Sequence, residues 1–392
     1  MPMIDTPDAL QALVDRALDA PFVAVDTEFV WEKTYYPWLG IVQVGLADDD
    51  CHLIDAVALK DLSPLGAVLS SQDTVKILHD AQQDLWILRL ATGAWPRNVF
   101  DTRCAAGFAG LGSTMSLSNL LRTCLDVQLA KTETRTDWLK RPLSDNQLDY
   151  ALDDVRYLPA LRDHLLSAIH RRDRDPWLAE ELGRYDAEEL YNDRVPEDQY
   201  ARVKGTGRLS RRDMAILREL ASWRETEAQK VNLPRNRVLS DDAMVQIARR
   251  KPHSIRSLKR LRGILDDTVQ KYGEIILDAV RNGLLVEEKD CPSVAPPTRP
   301  NPFEDARLDL AMAFLRGQCL AEGIDIAMVA SRAEVKALVS EGPKVNGNPL
   351  KTGWRHEFLG RDLMALLGGA HAIGIDPETH LPGLLRDKDN KD

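Results

Sequence analysis

No stretch of the 392-residue chain approaches the roughly 20 consecutive apolar residues that a membrane-spanning helix requires. The opening residues, MPMIDTPDALQALVDRALDAP, bring acids early and lack a basic start followed by an apolar core. They do not match a secretory signal, so the expected address is the cytoplasm, with no membrane partner. The five cysteines, Cys51, Cys104, Cys124, Cys291 and Cys319, are odd in number and form no C-x-x-C pair. Neither a zinc site nor a disulfide framework follows, and buried free thiols are expected. The G-x-x-x-x-G-K-[ST] phosphate loop is also missing, so nothing points to a helicase motor.

What is present reads as an ordinary globular protein, with 44% hydrophobic and 29% charged residues over a length that suits two or three domains. A net charge of −10 argues at first against nucleic acid. The charge is segregated, however. Residues 208–290 hold 18 Lys and Arg against 13 Asp and Glu, a surplus of five positive charges that leaves −15 on the rest. A basic module beside an acidic body suits a nucleic-acid enzyme whose acids hold metal, and chance segregation fits it too.

Residues 8–19 carry helical periodicity. Residues 22–25, 41–47 and 51–55 read as strands of an antiparallel meander, with a tight turn at Asp48–Asp50. A short helix over 62–69, a strand at 75–79, a helix over 80–91 and a short strand near 98–102 follow. Residues 103–169 read as helices with loops, so the first part of the chain is α/β. Beyond about residue 170 the strand signals stop, and helices are expected over 210–228, 240–250, 254–260 and 266–282. Five prolines within 291–302 mark a stiff linker, 303–380 is helical again, and 382–392 is a charged tail. The two helical segments are alike in length and layout, which suits a degenerate duplication.

Three short pieces carry chemistry. Asp26 and Glu28 are two apart on a strand and so face the same way. Paired carboxylates repel unless water or a cation neutralises them, and Mg²⁺ takes such oxygen ligands. A solvated strand end is the bland alternative. Asp84 lies where a strand feeds a helix, a position that also favours a plain surface acid. Tyr150 and Asp154 are i and i+4 on one helix face, with Asp153 a rival and with Ser144 and Gln147 forming a capping box at the helix start. A core tyrosine beside a surface acid would give the same pattern.

Together these pieces resemble the tyrosine-containing branch of the DEDD exonuclease superfamily. Asp26 and Glu28 match its first motif, Asp84 its second, and Tyr150 with Asp154 its third. The blocks VAVDTEFVWEKTYYPWLGIVQVG, KILHDAQQDL and KTETRTDWLKRPLSDNQLDYALDDVRYL extend the resemblance to the ribonuclease D family over about residues 1–290.

The resemblance implies a ribonuclease H-like α/β catalytic domain with a mixed sheet over 1–170, followed by a connecting helical segment over 171–207. It implies an all-α HRDC domain (helicase and ribonuclease D C-terminal) over 208–288, signalled by Trp223-Arg224 and Leu233-Pro234. A linker over 289–302, a second HRDC-like helical domain over 303–380 and a tail over 381–392 complete the expected layout. The implied activity is removal of mononucleotides from RNA 3′ ends, with tRNA precursors as the expected substrate and a monomer as the expected state.

Two divalent ions, Mg²⁺ or Mn²⁺, would serve an in-line hydrolysis. On this assignment Asp26 is shared by both ions, Glu28 and Asp154 complete the water-side ion, and Asp84 helps hold the second through water. Tyr150 orients the attacking water. Candidate substrate contacts are His79, Phe29, Gln43, Arg135 and Trp138, with Trp31 a further stacking candidate and Arg141 a further phosphate contact. For Phe29 and Trp31 a packing role is an equal alternative, for Trp138 packing against the core is at least an equal one, and His79 reads more often as a satisfied core or strand-end histidine. Arg208, Arg211, Arg212, Arg249, Arg250, Lys251, Lys259 and Arg260 either track RNA phosphates or form a solvated face. Two rival functions stand beside this one: a DNA-directed 3′→5′ exonuclease, and a non-catalytic RNA-binding adaptor, against which the presence of all four acids argues.

Overall fold

The computed structural model describes residues 3–129, 136–292, 301–342 and 345–385. Arg135, most of the Pro-rich segment and the end of the tail lie outside the described residues. The chain divides into two compact units, one of Met1–Glu28, Leu39–Tyr191 and Pro300–Asp392, the other of Phe29–Trp38 and Asn192–Arg299.

The first unit opens with helix α1 (Pro7–Asp19), whose Leu10, Leu13, Val14 and Ala17 make the buried stripe that its 3.6-residue period requires. Strands β1 (Phe22–Val30), β2 (Trp38–Ala47) and β3 (Asp50–Asp55) follow, then short helices α2 (Ala56–Leu59) and α3 (Leu65–Ser70). Next come β4 (Val75–Leu78), α4 (Gln82–Thr92), β5 (Val99–Asp101) and α5 (Thr102–Phe108). Helices α6 (Leu117–Leu125), α7 (Asp145–Arg156), α8 (Leu158–His170) and α9 (Asp175–Gly183) complete the series. The sheet runs β3-β2-β1-β4-β5. β2 and β3 are antiparallel, while β4 is parallel to both β1 and β5, so the sheet is mixed.

β1 runs five residues past the apolar run 22–25 that signalled it. The acids of Asp26-Thr27-Glu28 end the hydrophobic run but not the alternation. Val23 and Val25 pack into a core with Leu85 and Leu88, and Ala24 into another with Val155. Asp26 and Glu28 share the parity of Ala24.

The second unit holds α10 (Arg211–Lys230), α11 (Arg235–Val238), α12 (Asp241–Arg250), α13 (Ile255–Lys259) and α14 (Asp266–Leu285). Ser210, Ser240 and Ser254 each cap a helix start with the side chain, which satisfies amides the helix leaves unpaired. Leu217, Leu220, Ile247, Leu258 and Ile276 form its core. Several of its basic residues are committed internally. Arg212 donates to the Leu284 carbonyl at 3.1 Å, Arg211 to that of Cys291 at 2.9 Å, and Lys251 pairs with Asp213 at 2.8 Å. Arg208, Arg249, Arg250 and Arg260 are exposed.

Residues 301–385 belong to the first unit. They form α15 (Pro302–Glu322), α16 (Ile326–Val329), α17 (Arg332–Glu341), α18 (Gly353–Arg355) and α19 (Arg361–Leu367). A ribbon of β6 (Ile373–Ile375) and β7 (Pro382–Leu384) follows, β6 where the sequence reads as helical and β7 where it reads as a charged tail. Three-residue strands are too short to leave a period-two signal. Phe314, Leu315 and Trp354 share one core with Phe108, Leu165 and Leu178 of the α/β body. Arg174, 4% exposed, ties the two parts by donating to the carbonyls of Phe108 and Gly323, each at 3.0 Å.

Candidate active site

Asp26 and Glu28 project from β1 toward α7, because their parity on the strand is that of Ala24, which packs with Val155 of that helix. α7 begins with the capping box expected from its sequence, Ser144 and Gln147 bonding each other's backbone amides. Ala151 and Val155 bury its inner face. Asp154, 8% exposed, comes to the strand carboxylates, and one oxygen from each of Asp26, Glu28 and Asp154 lies within 4.8 Å of the others. Asp153, the rival, is turned to Arg156 at 2.6 Å.

Asp84 reaches the group by a different route. Asp101, 3% exposed at the end of β5, accepts the backbone amides of Asp80 at 3.0 Å and Ala81 at 3.2 Å, and the Tyr185 hydroxyl at 2.6 Å. These bonds fix the turn at which Asp80 takes a left-handed φ of 61° and from which α4 starts. Asp84 then falls in the first turn of α4, where the helix dipole favours its charge. The Thr27 hydroxyl donates to its carboxylate. Thr27 and Asp101 were not singled out from the sequence. Thr27's place between two acids gives a weak signal, and the role of Asp101 depends on long-range contacts that leave none.

The four carboxylates perturb one another. Burial first, then the charges of Asp84, Asp154 and Glu28, raises Asp26 well above the usual carboxylate range. Burial, then Asp154 and Asp84, pushes Glu28 up to about 8. Burial leads in raising Asp154 to about 7 and Asp84 to about 6. One Asp154 oxygen is buried with no hydrogen-bond partner. A buried, unpaired carboxylate oxygen is costly, and a set made only of oxygens suits a hard divalent cation.

A stability test follows. The folded pKa values lie above those of the unfolded chain, so these groups disfavour the folded state increasingly as pH rises through about 6 to 8. In EDTA the melting temperature is expected to fall between pH 6 and pH 8, and Mg²⁺ or Mn²⁺ should narrow the difference. A melting temperature indifferent to added metal at pH 8 would count against a cation site.

Tyr150 lies beside Asp154. Burial, then the charges of Asp154, Glu28 and Asp26, raises its phenol far above its ordinary value, so it stays protonated. Its ring rests 6.1 Å, centroid to centroid, from that of Trp138.

The remaining candidates divide by their surroundings. Gln43, fully buried on β2, points its amide nitrogen at Asp26 from 3.5 Å, while its amide oxygen has no partner. Both ring nitrogens of His79 are engaged, with the Thr102 hydroxyl at 2.9 Å and the Met115 carbonyl at 3.1 Å. Burial lowers its pKa, and with a partner at each nitrogen His79 is a satisfied histidine at the strand end. Trp138 is 3% exposed and packs with Ile41, Leu53 and Ala151, which leaves little ring surface for a base. Phe29, the residue after Glu28, is half-buried. Arg141 holds Asp55 with two nitrogens and donates to the carbonyls of Trp138 at 2.8 Å and Gly40 at 2.9 Å. It braces the loop under Trp138 instead of facing phosphate. Because Asp55 is 4% exposed, Arg141→Met should cost about 3 kcal/mol, the low end for breaking a buried pair, read as a lower denaturant midpoint.

Residues 1–170 match the family model for a 3′-5′ exonuclease, and residues 213–280 match that for an HRDC domain. The chain is 41% identical to ribonuclease D of Desulfotalea psychrophila over 91% of this chain and 96% of that protein. It is 36% identical to ribonuclease D of Jannaschia sp., covering 94% and 96% respectively. Its fold is similar to the crystal structure of Escherichia coli RNase D, with a TM-score of 0.83 and 29% identity over 94% of this chain and 98% of that one.

Proposed function

The chain belongs to the ribonuclease D family of metal-dependent 3′→5′ exoribonucleases, and we propose that Asp26, Glu28, Asp84, Asp154 and Tyr150 carry its chemistry. The observation behind this reading is the convergence of Asp26, Glu28 and Asp154 oxygens within 4.8 Å, beside Asp84. Two divalent ions, Mg²⁺ or Mn²⁺, are the expected load. Asp26 would serve both, Glu28 and Asp154 the water-side ion, and Asp84 the other through water. Bound there, a divalent cation lowers the pKa of water and offsets charge on the scissile phosphate.

The protein's own groups do the rest. The phenol of Tyr150, kept protonated by burial and by the carboxylates around it, gives its one proton to Asp154 and would orient the attacking water by accepting a hydrogen bond from it. Trp138 backs that ring, and Arg141 braces Trp138. Gln43 steadies Asp26 through its amide. Attack forms a phosphorus–oxygen bond and breaks the bond to the 3′ oxygen, releasing a nucleoside 5′-monophosphate.

Escherichia coli RNase D is an exoribonuclease involved in structured RNA processing, which supports structured precursors, tRNA precursors first among them, as the substrate. A cytoplasmic monomer is the accompanying proposal, and no helix among the described residues is long and apolar enough to cross a membrane. Among the basic candidates of the helical unit, Arg208, Arg249, Arg250, Lys259 and Arg260 are exposed and would be able to meet phosphate. Residues 303–380 are proposed as a second HRDC-like module. Long helix, four-residue helix and ten-residue helix recur in order in α10–α12 and α15–α17. Ser240 and Ser331 cap the third helix of each series.

The test uses 3′-labelled and 5′-labelled single-stranded RNA with Mg²⁺, Mn²⁺ or EDTA. Metal-dependent release of mononucleotides from the 3′ end is expected. Tyr150→Phe should lower kcat by about 10²-fold, within the range of a lost catalytic proton-handling group, with little change in KM. An unchanged kcat with a lower melting temperature would reduce Tyr150 to packing.

A further inference from the structure

Residues 301–385 follow the carboxylates by more than 140 positions, yet two chains of polar contacts run from them to the turn that launches Asp84. Both chains lie wholly within the first unit. The first starts on α18. The indole N–H of Trp354 reaches Glu181 at 3.3 Å, and Arg355 pairs with the same carboxylate oxygen at 2.7 Å. The other oxygen of Glu181, a buried acid late in α9, accepts from Arg184 at 2.9 Å. Arg184 also donates to the Tyr185 hydroxyl at 3.2 Å, and the buried Tyr185 donates to Asp101 at 2.6 Å. Asp101 is the residue that accepts the amides of Asp80 and Ala81.

The second chain starts at Asp325, the cap of α16. One of its oxygens accepts the Ala327 amide at 3.0 Å. The other accepts both the amide and the hydroxyl of Ser113, at 2.8 Å and 2.7 Å. The Ser113 carbonyl in turn accepts from Arg103 at 2.8 Å, and Arg103 pairs with the Asp80 carboxylate. Asp80 is therefore held twice, through its backbone by Asp101 and through its side chain by Arg103.

The turn needs such support. Asp80 is not a glycine, and its φ of 61° is a conformation that persists when the surrounding structure over-determines it. α4 begins at Gln82 and Asp84 is its third residue, so the direction of the turn sets where the Asp84 carboxylate goes. Groups behind a metal ligand orient it and thereby set its affinity.

We propose that the C-terminal segment 301–385 is part of the support of the cation site, fixing the Asp80–Ala81 turn and with it Asp84, and that Tyr185 and Asp325 are positioning residues for this purpose. The proposal rests on the reading of Asp84 as one of the carboxylates that serve the cation.

The test titrates Mn²⁺ into metal-free full-length protein, reads the free ion by electron paramagnetic resonance, and follows hydrogen exchange in residues 79–86. Tyr185→Phe keeps the ring and removes the hydroxyl that Asp101 accepts. Asp325→Ala removes the acceptor for Ser113. Each should weaken Mn²⁺ binding by about 10-fold, the low end of what a lost outer partner costs a metal site, and speed exchange in 79–86. The double variant should bind more weakly than either. Leu338→Ala, which empties part of the same C-terminal core without touching either chain of contacts, should lower the melting temperature and leave Mn²⁺ affinity unchanged. Wild-type affinity in both Tyr185→Phe and Asp325→Ala would overturn the proposal, and so would an equal loss in Leu338→Ala. An Asp84→Asn protein that binds Mn²⁺ as tightly as wild type would instead overturn the place of Asp84 in the cation site.

Discussion

Asp26→Asn should give a folded protein whose RNA hydrolysis is lower by about 10³-fold or more, yet whose melting temperature in EDTA at pH 8 is higher than that of wild type. The activity loss is expected to match or exceed that of removing one strong electrostatic contact from an active site. The stability gain has the same origin. Asp26 lies half-buried among Asp84, Asp154 and Glu28, and desolvation first, then the charge of each, raises its pKa. An amide removes one charge from that group while keeping the shape, so the folded state no longer bears its repulsion. For a unit of this size the melting temperature should rise by about 2–4 °C per kcal/mol of repulsion removed. Added metal should stabilise the variant less than wild type. Wild-type turnover by Asp26→Asn would reject the assignment, and an unaltered melting profile in EDTA would mean that the carboxylates are not in conflict.

The second large effect concerns residues 301–385. Trp354→Ala should cost about 3–5 kcal/mol, the range for emptying a large aromatic site, and the loss should appear in the α/β body. Trp354 is 1% exposed. Its ring stacks on Trp177 at 5.4 Å and meets Phe108 edge-on at 5.0 Å, and its indole N–H reaches Glu181 at 3.3 Å. Phe108 and Trp177 belong to α5 and α9, so the cavity would open between the body and the C-terminal helices. Hydrogen exchange should report loosening in α5 and α9 as well as in α15–α19. Protection lost only beyond residue 301 would instead mark an independent module.

This second case shows where sequence reading stops. The Pro-rich segment within 291–302 and the return of helical periodicity suggested a separate final domain, and both features are real. Which surface the last helices cover is not written in their own periodicity. An amphipathic stripe states that a helix is buried on one side but not against what. The partners Phe108, Leu165 and Leu178 lie more than 120 residues earlier in the chain.

The carboxylates divide along the same line. Strand parity paired Asp26 with Glu28, and helix spacing paired Tyr150 with Asp154, because both relations are local and fixed by backbone geometry. The capping box at Ser144 and the free state of the cysteines were legible for the same reason. Local rules did not reveal Asp101 setting the turn before α4, Arg141 spent on Asp55, or the β1–β2 connection folded with the helical unit. Each of these depends on groups brought together across 20 to 200 residues, where the competing partners for a polar atom are decided by packing. The sequence by itself thus determined the chemical groups, their local pairing and the helix and strand content. Only the tertiary structure decided which polar groups were left unpaired for chemistry, because burial and long-range hydrogen bonds settle that together.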